Sequence, residues 1–176
     1  MNERQTIVPF VHSRFERHPD DTYLTIDSRC VDALLATWPV SGRIVDCCAP
    51  NGSGIVDALT AGGKDAHGEP DAFADFHAVW IVTNPPYKRE IVDRIAEACV
   101  QRVRSGTVQG AAFLMRANWD LAAKRAKLFE PPWHAGQTRM RFRPWWSEDR
   151  SAQPIHNFCW IVWSRWEGEP VIRYWP

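Results

Sequence analysis

Residues 78–82, Ala-Val-Trp-Ile-Val, form a short apolar run that Thr83-Asn84-Pro85-Pro86-Tyr87 brings to a halt. Two adjacent prolines fix φ twice and remove two backbone N–H donors, so the chain cannot run on as a central strand or enter a helix there. The expectation is a buried strand ending in a rigid, acceptor-rich turn with an aromatic ring at its exit. Such a turn suits a planar amine. The amide oxygen of Asn84 and the carbonyl of Pro85 can accept its two N–H bonds while Tyr87 stacks on the ring, and Pro86 keeps the turn from relaxing. Holding both hydrogens frees the nitrogen lone pair from the ring and makes it a usable nucleophile.

The rest of the chain supplies a sheet for that strand to sit in. Residues 43–48 read as a second buried strand, followed by Ala49-Pro50-Asn51-Gly52-Ser53-Gly54 and a helical stretch from Ile55 to Leu59 that Gly62-Gly63 ends. Strand, glycine-containing turn and helix make the first half of a β-α-β unit. A helix from about Cys30 to Trp38, capped by Asp27 or Ser28, precedes it, and Pro39 stops it. After the Pro-Pro turn, residues 89–104 place Ile91, Ile95, Cys99 and Val103 on one face of an amphipathic helix. Residues 110–115 form another buried strand, and Asn118 can cap a helix over residues 119–129 that Pro131-Pro132 terminates. The block 158–163 is a late strand, with residues 171–175 as its partner. The expected fold is a Rossmann-like three-layer α/β sheet, mostly parallel, with an antiparallel terminal strand. At 176 residues the chain is one domain, residues 1–22 forming a loose arm.

Composition narrows the function. Charged residues make up 24%, no apolar run approaches the roughly 20 residues of a membrane helix, and the N-terminus lacks a secretory core, so a cytoplasmic protein with no membrane partner is expected. Five scattered cysteines show no C-x-x-C pair, and buried free thiols without a metal are expected. Net charge is zero but uneven, with 11 basic against 15 acidic residues up to position 114 and 10 against 6 beyond it. Eight of the ten tryptophans lie at or after Trp119, interleaved with arginines. Arginine with aromatic side chains suits phosphates and unstacked bases. Lys88, Arg139, Arg141, Arg143, Trp145 and Trp146 are the candidate nucleic-acid contacts, while Trp160 and Trp163 read as strand core.

In an open α/β sheet ligands bind beyond the carboxyl ends of the strands, where both turns fall. Gly52 and Gly54 permit close backbone approach, and Asp46 can bond a cationic amino group. No G-x-x-x-x-G-K-S/T occurs, so nucleoside triphosphate binding is unsupported. With its 46–54 segment, Asp-Cys-Cys-Ala-Pro-Asn-Gly-Ser-Gly, and Asn84-Pro85-Pro86-Tyr87, the chain resembles the S-adenosylmethionine-dependent adenine-N6 DNA methyltransferases over residues 22–116 and, more loosely, 156–163.

The resemblance implies S-adenosylmethionine as cofactor, held by Asp46, Cys48, Ala49, Asn51, Gly52 and Gly54, with Tyr23 and Thr25 at its methionine end. It further implies Glu69 on the ribose, Asp75 and Phe76 near the adenine, and Asn84, Pro85, Pro86 and Tyr87 as the catalytic turn. DNA is the expected partner, or RNA, and small enzymes of this kind resemble those of phages. Pro50 stands where the family usually has glycine, and the chain leaves no room for a separate target-recognition domain. Three other readings stay open: methylation of a protein glutamine amide or RNA base amine, of cytosine N4, or a non-catalytic nucleic-acid-binding protein with a decayed core.

Overall fold

A computed structural model describes residues 23–49, 52–150 and 153–176, so the expected arm at 1–22, with Pro50 and Asn51, lies outside the described residues. Along the chain come α1 (Arg29–Thr37), β1 (Ile44–Asp46), α2 (Gly54–Ala61), β2 (Ala66–Gly68), β3 (Trp80–Thr83), α3 (Arg89–Arg104) and β4 (Gly110–Arg116). Two 3-10 helices (Trp119–Leu121 and Ala123–Phe129) then lead to β5 (His134–Met140), β6 (Phe158–Ser164) and β7 (Val171–Trp175).

The strands form one seven-stranded sheet in the order β2-β1-β3-β4-β6-β5-β7. The four strands β2, β1, β3 and β4 are mutually parallel, as strands joined by helical crossovers must be. Only β6 runs the other way, between β4 and β5. This is the Rossmann-like three-layer arrangement. One face packs Val92, Ile95, Cys99 and Val103 of α3 against the sheet, and the other packs Val31 and Leu34 of α1 with Ile55 and Leu59 of α2. Strands covered on both faces read as unbroken apolar runs, and β1, β3 and β4 do so.

Three expectations change. The partner of β7 is β5, to which it is parallel, and not β6; both edges of β6 are already taken by β4 and β5, so the last strand extends the sheet instead of closing a hairpin. The stretch 119–129 winds as two 3-10 helices, and Asn118 makes no side-chain cap. Arg125 explains this: it turns inward, donating to Asp93 at 2.7 Å and to the Trp119 carbonyl at 2.6 Å, which a regular amphipathic helix with its charges outward would not permit. Finally, β5 itself was not expected. Its buried positions include Gln137 and Thr138, polar side chains that disguise a strand. Thr138 Oγ1 accepts from Trp38 Nε1 at 2.8 Å and bonds Thr37 Oγ1 at 2.7 Å, tying α1 to the sheet.

Candidate active site

The carboxyl ends of β1 and β3 meet at one buried carboxylate. Asp46, the last residue of β1, is 4% exposed and accepts three hydrogen bonds: Cys48 N–H at 3.1 Å and Thr83 Oγ1 at 2.6 Å on one oxygen, Ser53 Oγ at 2.5 Å on the other. Ser53 also caps α2, accepting from Val56 N–H at 3.1 Å. Asp46 therefore joins the end of β1, the start of α2 and the end of β3. Burial pushes its carboxyl above the usual range, and the bonds from Ser53, Thr83 and Cys48 pull against that rise. Three donors give Asp46 a positioning role in the fold, and since a carboxylate has about four acceptor sites they do not exhaust it.

Asn84 follows Thr83 directly and is buried. Its Nδ2 donates to the carbonyl of Tyr23 at 2.7 Å, while the Tyr87 hydroxyl donates to its Oδ1 and lies 3.1 Å from the carbonyl of Leu114. Around the Tyr87 ring stand Phe158, with centroids 5.7 Å apart, Tyr23 at 6.5 Å and the guanidinium of Arg116 at 5.9 Å. Trp146 closes the group, 4.8 Å from Phe158 and 6.3 Å from Tyr23. Pro85 is buried and Pro86 half-buried. An acceptor thus lies beside an aromatic wall at the carboxyl edge of the sheet.

The segment 23–27 lies across this edge. A Cβ added at Gly54 would stand 2.1 Å from the Thr25 carbonyl oxygen, so the glycine exists for this close approach of backbone to backbone. Thr25 Oγ1 is buried with no hydrogen-bond partner. Gly52, at φ +98°, has nothing within 4 Å of where its Cβ would be. Half-buried Glu69 is tied to the same turn, its N–H donating to the Asp46 carbonyl at 2.8 Å and its carbonyl accepting from Ala49 N–H at 2.9 Å. Cys48 is half-buried; its thiol, 4.0 Å from that of Cys47, is pushed far up by that neighbour and by burial. The described cysteines are free thiols, and Cys159 is pushed by burial up to about 12. They are poor nucleophiles.

Other expected site residues fall elsewhere. Phe76 packs under the Arg102 guanidinium at 4.2 Å, near the C-terminal end of α3, and the adjoining His77 carbonyl accepts from Arg43, which precedes β1. Phe76 and exposed Asp75 therefore lie toward the amino edge of the strands, across the sheet from Asn84, because the chain between β2 and β3 must return there before β3 begins. Among the basic candidates, Arg139 bonds Gln137 at 3.4 Å, Arg141 lies over Tyr174 at 5.3 Å, and Arg143 donates to Asn157 Oδ1 at 3.1 Å and to the Pro154 carbonyl at 3.2 Å. Trp145 donates its backbone N–H to Asp27 at 3.2 Å. Lys88 is exposed at the start of α3. Since β5 is parallel to β4, residues 139–146 lie at the same edge as Asn84.

Sequence reasoning missed Ser53, Thr83, Phe158 and Arg116. The only local signal was position: Thr83 opens the turn, and Arg116 is the first charged residue after the apolar run of β4. Phe158 reaches the site only through its register opposite Arg116.

No protein-family profile matches the sequence, and no curated protein does either. Among solved structures, a Listeria monocytogenes protein provisionally assigned as a class I S-adenosylmethionine-dependent methyltransferase superposes with a TM-score of 0.46 at 10% identity, over 84% of this chain and 61% of that one. The likeness is too slight to speak for chemistry. The chain spans less than two thirds of that protein. Among the described residues no helix is long and apolar enough to cross a membrane, and no group of three His, Cys, Asp or Glu is placed to hold a metal ion.

Proposed function

We propose that this chain transfers a methyl group from S-adenosylmethionine to an exocyclic amine of a nucleic-acid base, adenine N6 in DNA in the first place. The observation that carries the reading is the juxtaposition of Asn84 Oδ1 and the Tyr87 ring with the glycine turn after Asp46. The residues at that turn fit the cofactor. Buried Thr25 Oγ1 lacks a partner, Gly52 borders open space, and the Glu69 backbone is bonded to Asp46 and Ala49 of the same turn. Thr25, Ala49, Gly52 and Glu69 would hold it. When bound, S-adenosylmethionine supplies an electrophilic methyl group on a sulfonium.

The protein's task is then to present a nucleophilic nitrogen. An amide oxygen has two lone pairs, and Tyr87 uses one on Asn84, so one remains for an amine N–H. With the Pro85 carbonyl as second acceptor, both amine hydrogens are held at the turn and the lone pair is released from the ring. Asn84 cannot swing away, because Nδ2 is anchored on Tyr23. Positioning of this kind supplies much of the barrier reduction in a displacement. Half-buried Tyr87 and Trp146, backed by buried Phe158, offer apolar surface to a base that has left its stack, offsetting a cost of a few kcal/mol in duplex DNA.

Calorimetry with S-adenosylmethionine, followed by nucleoside and protein mass spectrometry after incubation with labelled cofactor, tests the reading. Asn84→Ala is expected to abolish transfer while cofactor affinity stays within a few fold. Label in glutamine and none in nucleosides would move the substrate to protein. No binding of the cofactor would leave the non-catalytic alternative.

A further inference from the structure

Arg116 brings to this edge a guanidinium for which no hydrogen bond is found among the described residues. It is the last residue of β4, opposite Phe158 in register, and its guanidinium carbon stands 5.9 Å from the centre of the Tyr87 ring. Its Nε is enclosed without a hydrogen-bond partner, and no ion pair to it is found among the described residues. A half-buried cation in this state costs the fold desolvation with no return from an acceptor. A second guanidinium is fixed close by. The Asn157 carbonyl accepts from Ala117 N–H at 3.0 Å, and Asn157 Oδ1 accepts from Arg143 Nε at 3.1 Å, so one residue joins Arg143 to the position immediately after Arg116. The acceptors that Arg143 finds are neutral carbonyl oxygens, not carboxylates. Asp27, one of the carboxylates at this edge, is committed to Arg29 at 2.7 Å and to Trp145 N–H. Two guanidinium groups therefore stand at this edge with no ion pair to either found among the described residues.

We infer that Arg116, supported by Arg143, is a phosphate subsite that grips the phosphodiester next to the target base and makes a nucleotide within a strand, not an isolated base or an amide, the substrate. The inference rests on the methyl-transfer reading above for the position of the base, but its own content is the anion. Arginine's planar fork matches two phosphate oxygens, which a lysine at the same place cannot do. The guanidinium carbon stands 5.9 Å from the centre of the Tyr87 ring, so the backbone of a nucleotide whose base rests on that ring would pass near it. Arg116 is a positioning residue: it fixes where the base enters and takes no part in proton or methyl movement.

The test uses the full chain and fluorescent single-stranded oligodeoxynucleotides containing one adenine. Two probes are compared, one unmodified and one with neutral methylphosphonates on both sides of that adenine. Wild type is expected to bind the neutral probe roughly tenfold more weakly, the loss of one charge-assisted contact. Arg116→Met is expected to bind the unmodified probe about tenfold more weakly, to lower the slope of log K against log salt by about 0.7, and to lose nothing further on the neutral probe. Arg116→Lys should recover the salt slope and only part of the affinity. Melting temperature should stay within a few degrees of the wild-type value for Arg116→Met, since the side chain loses one long contact with the Tyr87 ring and sheds a desolvation cost; should that variant prove unstable, Arg143→Gln is expected to show a smaller loss on the same probes. Equal binding of both probes by wild type, or equal further losses on the neutral probe in the variant, would overturn the subsite. If transfer to oligonucleotides persists under either result, the methyl-transfer reading survives without it. Tighter competition by a free deoxynucleotide monophosphate than by the strand would place the phosphate on a mononucleotide and overturn the strand as its source.

Discussion

Replacing Thr83 by valine removes one hydroxyl and keeps the shape of the side chain. The residue is fully buried, and its hydroxyl donates to Asp46 at 2.6 Å, so no water can take its place. A hydrogen bond to an ionised group contributes about 1.5–3 kcal/mol, and Thr→Val is not a neutral exchange for that reason. We expect a loss of about 2 kcal/mol near neutral pH. For a chain of this size each kcal/mol corresponds to about 2–4 °C, so the melting temperature should fall by roughly 4–8 °C.

The pH dependence carries the sharper test. Burial raises the folded Asp46 carboxyl above its ordinary 3.8, so its contribution to stability is complete at low pH and is lost as pH rises through the raised value. Thr83→Val takes away a donor that opposes the rise and enlarges the loss. The deficit against wild type should thus be largest near pH 7.5 and smaller at about pH 3.5, below the ordinary 3.8, where a carboxyl whose folded value is raised is mostly neutral and leaves only a neutral hydrogen bond to lose. Thermal unfolding followed by circular dichroism at both pH values measures it. A variant that melts within about 1 °C of wild type at both, or with the same deficit at both, would show that Asp46 does not hold the two turns together as argued.

Other perturbations reach different parts of the edge. Gly54→Ala places a methyl group 2.1 Å from the Thr25 carbonyl and must push the 23–27 segment away, taking Tyr23 off Asn84. We expect a cost of about 1–3 kcal/mol and at least a tenfold fall in transfer; a more stable variant, as alanine's helix propensity alone would give, would sink the packing argument. Asp93 is subject to burial, which pushes its carboxyl up, but bonds from Lys124 and Arg125 outweigh this and leave it below 3.8. Its stabilisation is present above that value and lost as pH falls through the lowered folded one. Asp93→Asn should cost about 1–2 kcal/mol by urea unfolding at neutral pH and converge on wild type in strong acid.

How much of this could be read in advance depended on where the decisive contacts lie. The strands β1, β3 and β4 and the helix α3 were legible because burial on the sheet writes itself as local apolar runs and four-residue spacing. Asn84 and Tyr87 were legible because two prolines leave a turn few options. By contrast β5 is buried through polar side chains whose partners are distant: Gln137 donates to Asp120 at 2.7 Å, and Thr138 meets Thr37 and Trp38, a hundred residues back in sequence. Local pattern contains no trace of such partners. Arg116 and Phe158 share the same obscurity, since only strand register brings them to Asn84.

The surplus of tryptophan and arginine shows how sequence pattern can overstate a surface. None of the ten tryptophans is exposed. Several arginines near them are engaged within the molecule, Arg125 over Trp119 at 4.4 Å, Arg173 over Trp38 at 4.1 Å and Arg150 over Trp145 at 5.5 Å. Arg173 joins the last strand to the end of α1, Arg125 lies within the 3-10 stretch, and exposed Arg150 lies over a ring of its own loop. What remains for a nucleic acid under the proposed function is the narrow carboxyl edge, with Trp146 against Tyr23 and Phe158, half-buried Arg116 and exposed Arg141 and Arg143. A contact that small can fix one nucleotide firmly and read few neighbours, so under the proposed function the selectivity for sequence should be loose even when the choice of base is strict.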